Sequence, residues 1–166
     1  MVVNGNTLFE AQPIKDMLCK KIKFQEVSHG MSEAGYDIRI KQSICFKPCG
    51  NTIQRYNSKF VVEETTWGRF ILASTMDQFD MPTDLVGIVH DKSSWARKGL
   101  SVFNTVIEPG WKGFLTLELV YHGNDTLFIP AGSGIAQVIF HKCENQANYD
   151  GKYQFQQNMV VKAIAS

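Results

Sequence analysis

The sequence predicts a mainly β fold of the sandwich, jelly-roll or small-barrel kind, and three observations carry that prediction. Short apolar or alternating runs recur along the chain: YDIRI, KFVVEE, RFILAS, LVGIVH, FLTLELVY, TLFIP and IAQVIFHKC. Turn signals such as WG, MPTD, EPGW, HGND and AGSG separate them. Helical spacing is confined to one stretch near the N-terminus and one short turn. Many short strands between turns, with few helices, mark such all-β architectures.

Taken in order, Thr7–Ile22 sets Leu8, Ile14, Met17 and Leu18 at mostly helical spacing. It reads as a short amphipathic helix with Pro13 near its first turn. Tyr36, Ile38 and Ile40 then alternate with Asp37, Arg39 and Lys41, the period of a half-buried strand. Pro48–Ser58 reads as turn-rich and carries no chemical signal. KFVVEE and RFILAS read as strands about a Trp67-Gly68 turn, and Asp77–Asp84 as a loop in which Pro82 discourages helix. LVGIVH, FLTLELVY, TLFIP and IAQVIFHKC complete the strands.

With 166 residues the chain has the size of one domain, 1–166, large enough for a substantial core. Its formal charge of +1 leaves no electrostatic footprint for duplex nucleic acid or an anionic membrane. The opening MVVNGNTLFEAQ has no basic region followed by a long apolar run, and no run reaches bilayer length. Cys19, Cys45, Cys49 and Cys143 are irregularly spaced, so a cytoplasmic protein with reduced thiols is expected. Glu144–Ser166 is polar, aromatic and amide-rich. It reads either as an arm that orders over a ligand or as a frayed terminus.

The chemistry concentrates in Asp91–Tyr121. Ser93, Ser94, Lys92 and Arg97 surround a helical turn ending at Gly99, with serine as a good N-cap. Free N–H groups, hydroxyls and cations there make either a phosphate cradle or a plain capped surface turn. Trp111, after a Pro-Gly turn that Glu108 precedes, either stacks on a sugar or base or fills core. In the following strand Phe114, Thr116, Glu118 and Val120 share one face, and Leu115, Leu117, Leu119 and Tyr121 the other. A carboxylate in an apolar strand is costly without a purpose. Glu118 is either a base and acid with a burial-raised pKa or a salt-bridged structural residue. His29, His90, His122 and His141 form no metal-ligand pattern, and Cys45-x3-Cys49 has no second pair. The H-x-E and P-C-x-x-C of a zinc nucleobase deaminase are missing, as are a Walker loop and a dinucleotide fingerprint.

The runs KSSWARKGL, NTVIEPGWKGFLTLEL and YDGKYQFQ closely resemble the dCTP deaminase family within the trimeric dUTPase superfamily. GYDIRI, LASTMDQFDMPTDLVGIV and AGSGIAQVIF extend the likeness over nearly all the chain after Ala34. The resemblance implies a distorted β-sandwich assembling as a homotrimer, with active sites at subunit interfaces. The reaction implied is loss of the 4-amino group of dCTP without zinc, giving dUTP and ammonia, with Mg²⁺ riding on the triphosphate. By position, Ser93, Ser94 and Arg97 would hold phosphates and help place the water, with Lys92 as the first motif residue and Gln137 nearby. Trp111 would lie by the deoxyribose, and Thr116 and Leu117 would border the base. Glu118 would activate water. Tyr149, Lys152 and Gln156, in an arm over 144–166, would close over the triphosphate.

Several positions depart from the family pattern. Lys92 replaces the usual arginine, losing its planar fork. Glu108 replaces aspartate, Val106 stands where some relatives carry arginine, and the loop Ser101–Val106 is shorter. The substrate expected is therefore dCTP or a dCTP modified at C5. A dUTPase, or a bifunctional enzyme that also releases pyrophosphate, is the first alternative, because Glu108 sits where dUTPases place a water-activating carboxylate. A non-catalytic nucleotide-binding module on the same fold is the second.

Overall fold

The computed structural model describes residues 1–24, 27–56 and 61–165. In chain order its elements are β1 (Val2–Val3), α1 (Gly5–Ala11), β2 (Lys21–Phe24), β3 (Val27–Met31), β4 (Tyr36–Arg39), β5 (Ile44–Phe46), β6 (Asn51–Tyr56) and β7 (Val61–Thr66). Then follow β8 (Phe70–Asp80), β9 (Leu85–Asp91), α2 (Ser93–Ala96), β10 (Leu100–Val102), β11 (Val106–Ile107), β12 (Lys112–Tyr121), β13 (Leu127–Ile129) and β14 (Gly134–Lys142). The strands pair in antiparallel fashion in three sheets. The largest runs β11-β9-β14-β4-β3-β2 with β1 also on β14, the second β10-β12-β8, and the third β13-β5-β6-β7. The mainly β class with a short N-terminal helix is the class the sequence predicts.

One core joins the sheets. Tyr36, Ile38, Val138 and Phe140 come from the largest, Ile71, Ala73, Leu117 and Leu119 from the second, and Ile44, Phe46, Ile53 and Ile129 from the third. β4 differs from its predicted half-buried form. Its polar side is buried as well, because Asp37 pairs with Lys92 at 2.5 Å and Arg39 with Asp77 at 2.6 Å.

The helix is shorter and earlier than Thr7–Ile22. Gln12 takes a left-handed φ of 46°, and Pro13, which has no N–H to donate, lies beyond the helix rather than in its first turn. Ile14 and Met17 are nevertheless buried, so the periodicity reported burial rather than helix. Residues 51–56, read as turn, form β6 and pair with β7. Lys59 and Phe60 of the KFVVEE run, with Asn57 and Ser58, lie outside the described residues. β8 continues into the predicted loop as far as Asp80, because Lys112 and Gly113 of β12 pair with Asp80 and Phe79.

β12 is the central strand of the second sheet, between β10 and β8. Its ladder to β8 shifts between Phe114 and Thr116, a bulge that breaks the strict two-residue alternation. The sequence therefore misplaced Leu115, which is half-buried and shares a cavity with Thr116 and Glu118.

Candidate active site

A cavity of about 480 Å³ opens on β12. Its floor is Thr116 and Glu118, flanked by Leu115 and, from β8, by Phe70 and Leu72. The segment Asn104–Glu108 forms one wall with Trp111, and Tyr149, Tyr153 and Gln156 of the C-terminal segment form another. The cavity thus collects four of the expected site residues, Glu108, Trp111, Thr116 and Glu118, together with Tyr149 and Gln156 from the arm expected over the triphosphate.

Glu118 is half-buried, and burial pushes its carboxyl above the ordinary glutamate range. Among the described residues no side chain forms an ion pair with it, so the salt-bridged alternative finds no partner among them. Its main chain is tightly held. Phe103 N–H donates to the Glu118 carbonyl at 2.9 Å, and Glu118 N–H donates to Asn104 Oδ1 at 2.9 Å. Asn104 Nδ2 donates to the Thr116 carbonyl at 2.6 Å. The sequence reading missed Asn104; its only signal was an Asn-Thr pair in the loop before the strand.

Trp111 fills core, as one of the two sequence alternatives had it, and it also faces the cavity. It is 5% exposed and packs near Phe79 with ring centroids 6.0 Å apart. Its Nε1–H donates to the Tyr153 carbonyl at 2.7 Å, tying the turn to the C-terminal segment. Leu117, expected beside the base, turns its side chain into the core and is fully buried.

The expected phosphate residues stand elsewhere. α2 forms as a single turn closed by Gly99 at φ 86°, but Lys92 rather than Ser93 takes the N-cap position. Ser93, Ser94 and Arg97 are exposed, and none of them lines the cavity. Trp95 anchors the turn, donating from Nε1 to the Gly134 carbonyl at 2.7 Å. Lys92 is 8% exposed with its Nζ on Asp37 Oδ2 at 2.5 Å. Stripping a buried carboxylate of its partner costs about 3–5 kcal/mol. Lys92 is therefore held by Asp37 in this chain. Gln137 is half-buried and donates to Ser32 Oγ at 2.8 Å.

The C-terminal segment lies against β12. Gly113 pairs with Gln156 in a parallel bridge, and Phe114 N–H donates to the Gln156 carbonyl at 3.0 Å. Gly113 has a φ of 144°, and a Cβ there would lie 2.6 Å from Gln156 N and 2.8 Å from its carbonyl oxygen. Only glycine admits that approach. Further along, Val161 N–H donates to Thr116 Oγ1 at 3.1 Å, and Val161 and Ala163 line the cavity. Lys152 is exposed, its Nζ on the Ile164 carbonyl at 2.5 Å. Buried Gln156 Oε1 has no hydrogen-bond partner.

Among the described residues, no three His, Cys, Asp or Glu side chains gather as a metal site, and no helix is long and apolar enough to cross a membrane. All four cysteines are free.

A family model described as dCTP deaminase-like matches residues 8–143. A dCTP deaminase from Campylobacter concisus is 35% identical over 153 residues, spanning 83% of this chain and 82% of that protein. One from Nitrosomonas europaea is 34% identical over 171 residues, spanning 94% and 89%. Among solved structures, the 2′-deoxycytidine 5′-triphosphate deaminase of Agrobacterium tumefaciens aligns with a TM-score of 0.54 at 16% identity, covering 84% of this chain and 46% of that one. A dUTPase from phage phi11 of S. aureus, in which a structural Mg(II) ion is coordinated, aligns at 0.52 with 14% identity, covering 83% and 92%. At those identities the structures speak for the fold, a β architecture of the dUTPase type.

Proposed function

The chain belongs to the dCTP deaminase-like family, and from that membership we propose that it hydrolyses dCTP to dUTP and ammonia. One observation carries the reading beyond the family: Glu118 sits half-buried, without an ion-pair partner among the described residues, on the floor of a nucleotide-sized cavity. A carboxylate whose pKa is raised by burial is matched to accepting and returning protons near neutrality.

In this reading Glu118 takes a proton from water as the water oxygen adds to C4 of the cytosine, and passes it to N3. The proton of the new C4 hydroxyl then moves through Glu118 to the amine. The C4–N bond breaks, ammonia leaves and the C4 carbonyl forms. Carboxylate and water account for every proton transfer, so the reading uses no zinc. Trp111 lies against the sugar and Thr116 borders the base, while Tyr149, Lys152 and Gln156 belong to an arm over 144–166 that closes on the triphosphate. Mg²⁺ enters as part of the substrate, held by phosphate and water oxygens.

Ser93, Ser94 and Arg97 are exposed and outside the chain's own cavity. We therefore read each site as completed by the α2 turn of a neighbouring copy, in a homotrimer. Gln137 stands near that turn, since Ala136 pairs with Asp91 and Gln137 with His90.

A second reading has its own observation. Glu108 is exposed on the cavity wall, where it could activate water toward a phosphate. That makes dUTP cleavage to dUMP and pyrophosphate the alternative, alone or after deamination. Val106 on the same wall bears on whether a C5-substituted dCTP is accepted. The test supplies dCTP, dUTP and 5-methyl-dCTP with Mg²⁺ and measures ammonia, pyrophosphate and nucleotide products. Ammonia from dCTP without pyrophosphate is expected, and pyrophosphate from dUTP with no ammonia from either cytosine nucleotide would overturn the reading. Glu118→Gln should lower ammonia release about a thousandfold while still binding dCTP.

A further inference from the structure

β10 supports β12 only as far as Val102, which pairs with Leu119. One further bond, from Phe103 N–H to the Glu118 carbonyl, continues the ladder. The chain then leaves the sheet to build the cavity wall at Asn104–Glu108. A continued antiparallel ladder would give the Glu118 N–H a backbone carbonyl and the Thr116 carbonyl a backbone N–H. Neither is supplied by backbone. Both go to one side chain, since Asn104 Oδ1 accepts from Glu118 N–H at 2.9 Å and Asn104 Nδ2 donates to the Thr116 carbonyl at 2.6 Å.

We propose that Asn104 is a positioning residue for the reaction: its amide stands in for the missing neighbour-strand peptide and fixes the main chain under both Thr116 and Glu118. The amide's orientation is dictated by its partners, because only Oδ1 can meet an N–H and only Nδ2 can meet a carbonyl. The arrangement has two consequences. The edge of β12 is satisfied at the cavity floor without a covering strand, so the floor stays open to a ligand. The wall carrying Val106 and Glu108 is also joined to the reacting carboxylate through a single residue.

The inference rests on the reading of Glu118 as the deaminating base, and the experiment separates the two. Ammonia release from dCTP is measured against pH for the wild-type protein, Glu118→Gln, Asn104→Ala and Asn104→Asp, with dCTP binding and thermal melting recorded for each. No ammonia from the wild type, or undiminished ammonia from Glu118→Gln, defeats the reading of Glu118. If that reading stands, Asn104→Ala should lose about ten- to a hundredfold in kcat with little change in dCTP binding, as expected for a misplaced catalytic group.

Asn104→Asp keeps the shape and the acceptor for Glu118 N–H. It sets a carboxylate against the Thr116 carbonyl and places a second negative charge beside Glu118. The other titratable groups on the cavity wall are Glu108 and the phenols of Tyr149 and Tyr153. The added charge should move the acid limb of the kcat profile to higher pH, since it disfavours ionised Glu118. A merely structural role would lower melting or active fraction and leave that limb in place. Wild-type kcat in Asn104→Ala, or an unmoved limb in folded Asn104→Asp, overturns the proposal. If the alanine variant does not fold, the isosteric aspartate variant decides alone.

Discussion

His29 is 7% exposed beside the Asp37–Lys92 and Arg39–Asp77 pairs, and its Nδ1 has no hydrogen-bond partner among the described residues. Burial, then the Arg39 charge, lowers its pKa below the ordinary histidine value, with Lys92 acting the same way and Asp77 and Asp37 opposing. The folded chain therefore binds fewer protons at this site than the unfolded chain once pH falls below about 6.5. Stability from this site is retained above that pH and lost below it, until the folded-state histidine also charges. Melting temperature should fall between about pH 7 and 5, and His29→Gln should flatten that slope. An unchanged slope in the variant would show that His29 does not carry it. At this scale the sequence was legible wherever a residue was chemically out of place. Glu118 in an apolar strand announced itself. Asn104 could not, because its partners are peptide groups that every residue carries, and the Lys92–Asp37 pair could not, because Asp37 lies 55 positions away.

At the scale of elements, alternation revealed the strands with a clear apolar period and missed those without one, even where they line the core, as Val27 and Met31 of β3 and Ile53 of β6 do. β2 is exposed along its whole length, and β3 carries Ser28, His29 and Gly30, so neither has the apolar signature of a strand. The bulge in β12 was equally invisible, yet it turns Leu115 toward the cavity. Gly113 was read only as part of a turn, but its positive φ admits the C-terminal segment to within bonding distance of β12. Gly113→Ala should cost about 1–3 kcal/mol in strain, spent on releasing the segment while the core is untouched. Limited proteolysis should then cut within residues 150–165 faster than in the wild type, with melting little changed. Equal cleavage rates would show that the Gly113–Gln156 bridge does not hold the arm.

Over the whole molecule, the sequence named the candidate parts of a site without showing that one chain sets them apart. The cavity holds Glu118, whereas the α2 turn with Ser93 and Arg97 lies outside it. Exposed Phe70, Phe103 and Phe128 add apolar surface suited to contact between copies. If sites are shared, mixtures should show it directly. Glu118→Gln and Arg97→Ala variants, each inactive alone, should regain ammonia release when unfolded together and reassembled, since some sites then combine an intact Glu118 with an intact Arg97. Strictly additive residual activity would place every catalytic group within one copy.

The Val161–Thr116 contact also bears on affinity. While that N–H rests on the Thr116 hydroxyl, one acceptor position of the hydroxyl is taken, and the floor of the cavity is partly occupied by the chain's own end. A ligand that needs this position meets a receptive population smaller than the protein concentration. Its apparent Kd equals the intrinsic value divided by the fraction of molecules whose end has lifted away. Residues that never touch the ligand, from Asn158 held by Lys41 to Ile164 held by Tyr153 and Lys152, then tune how tightly it binds.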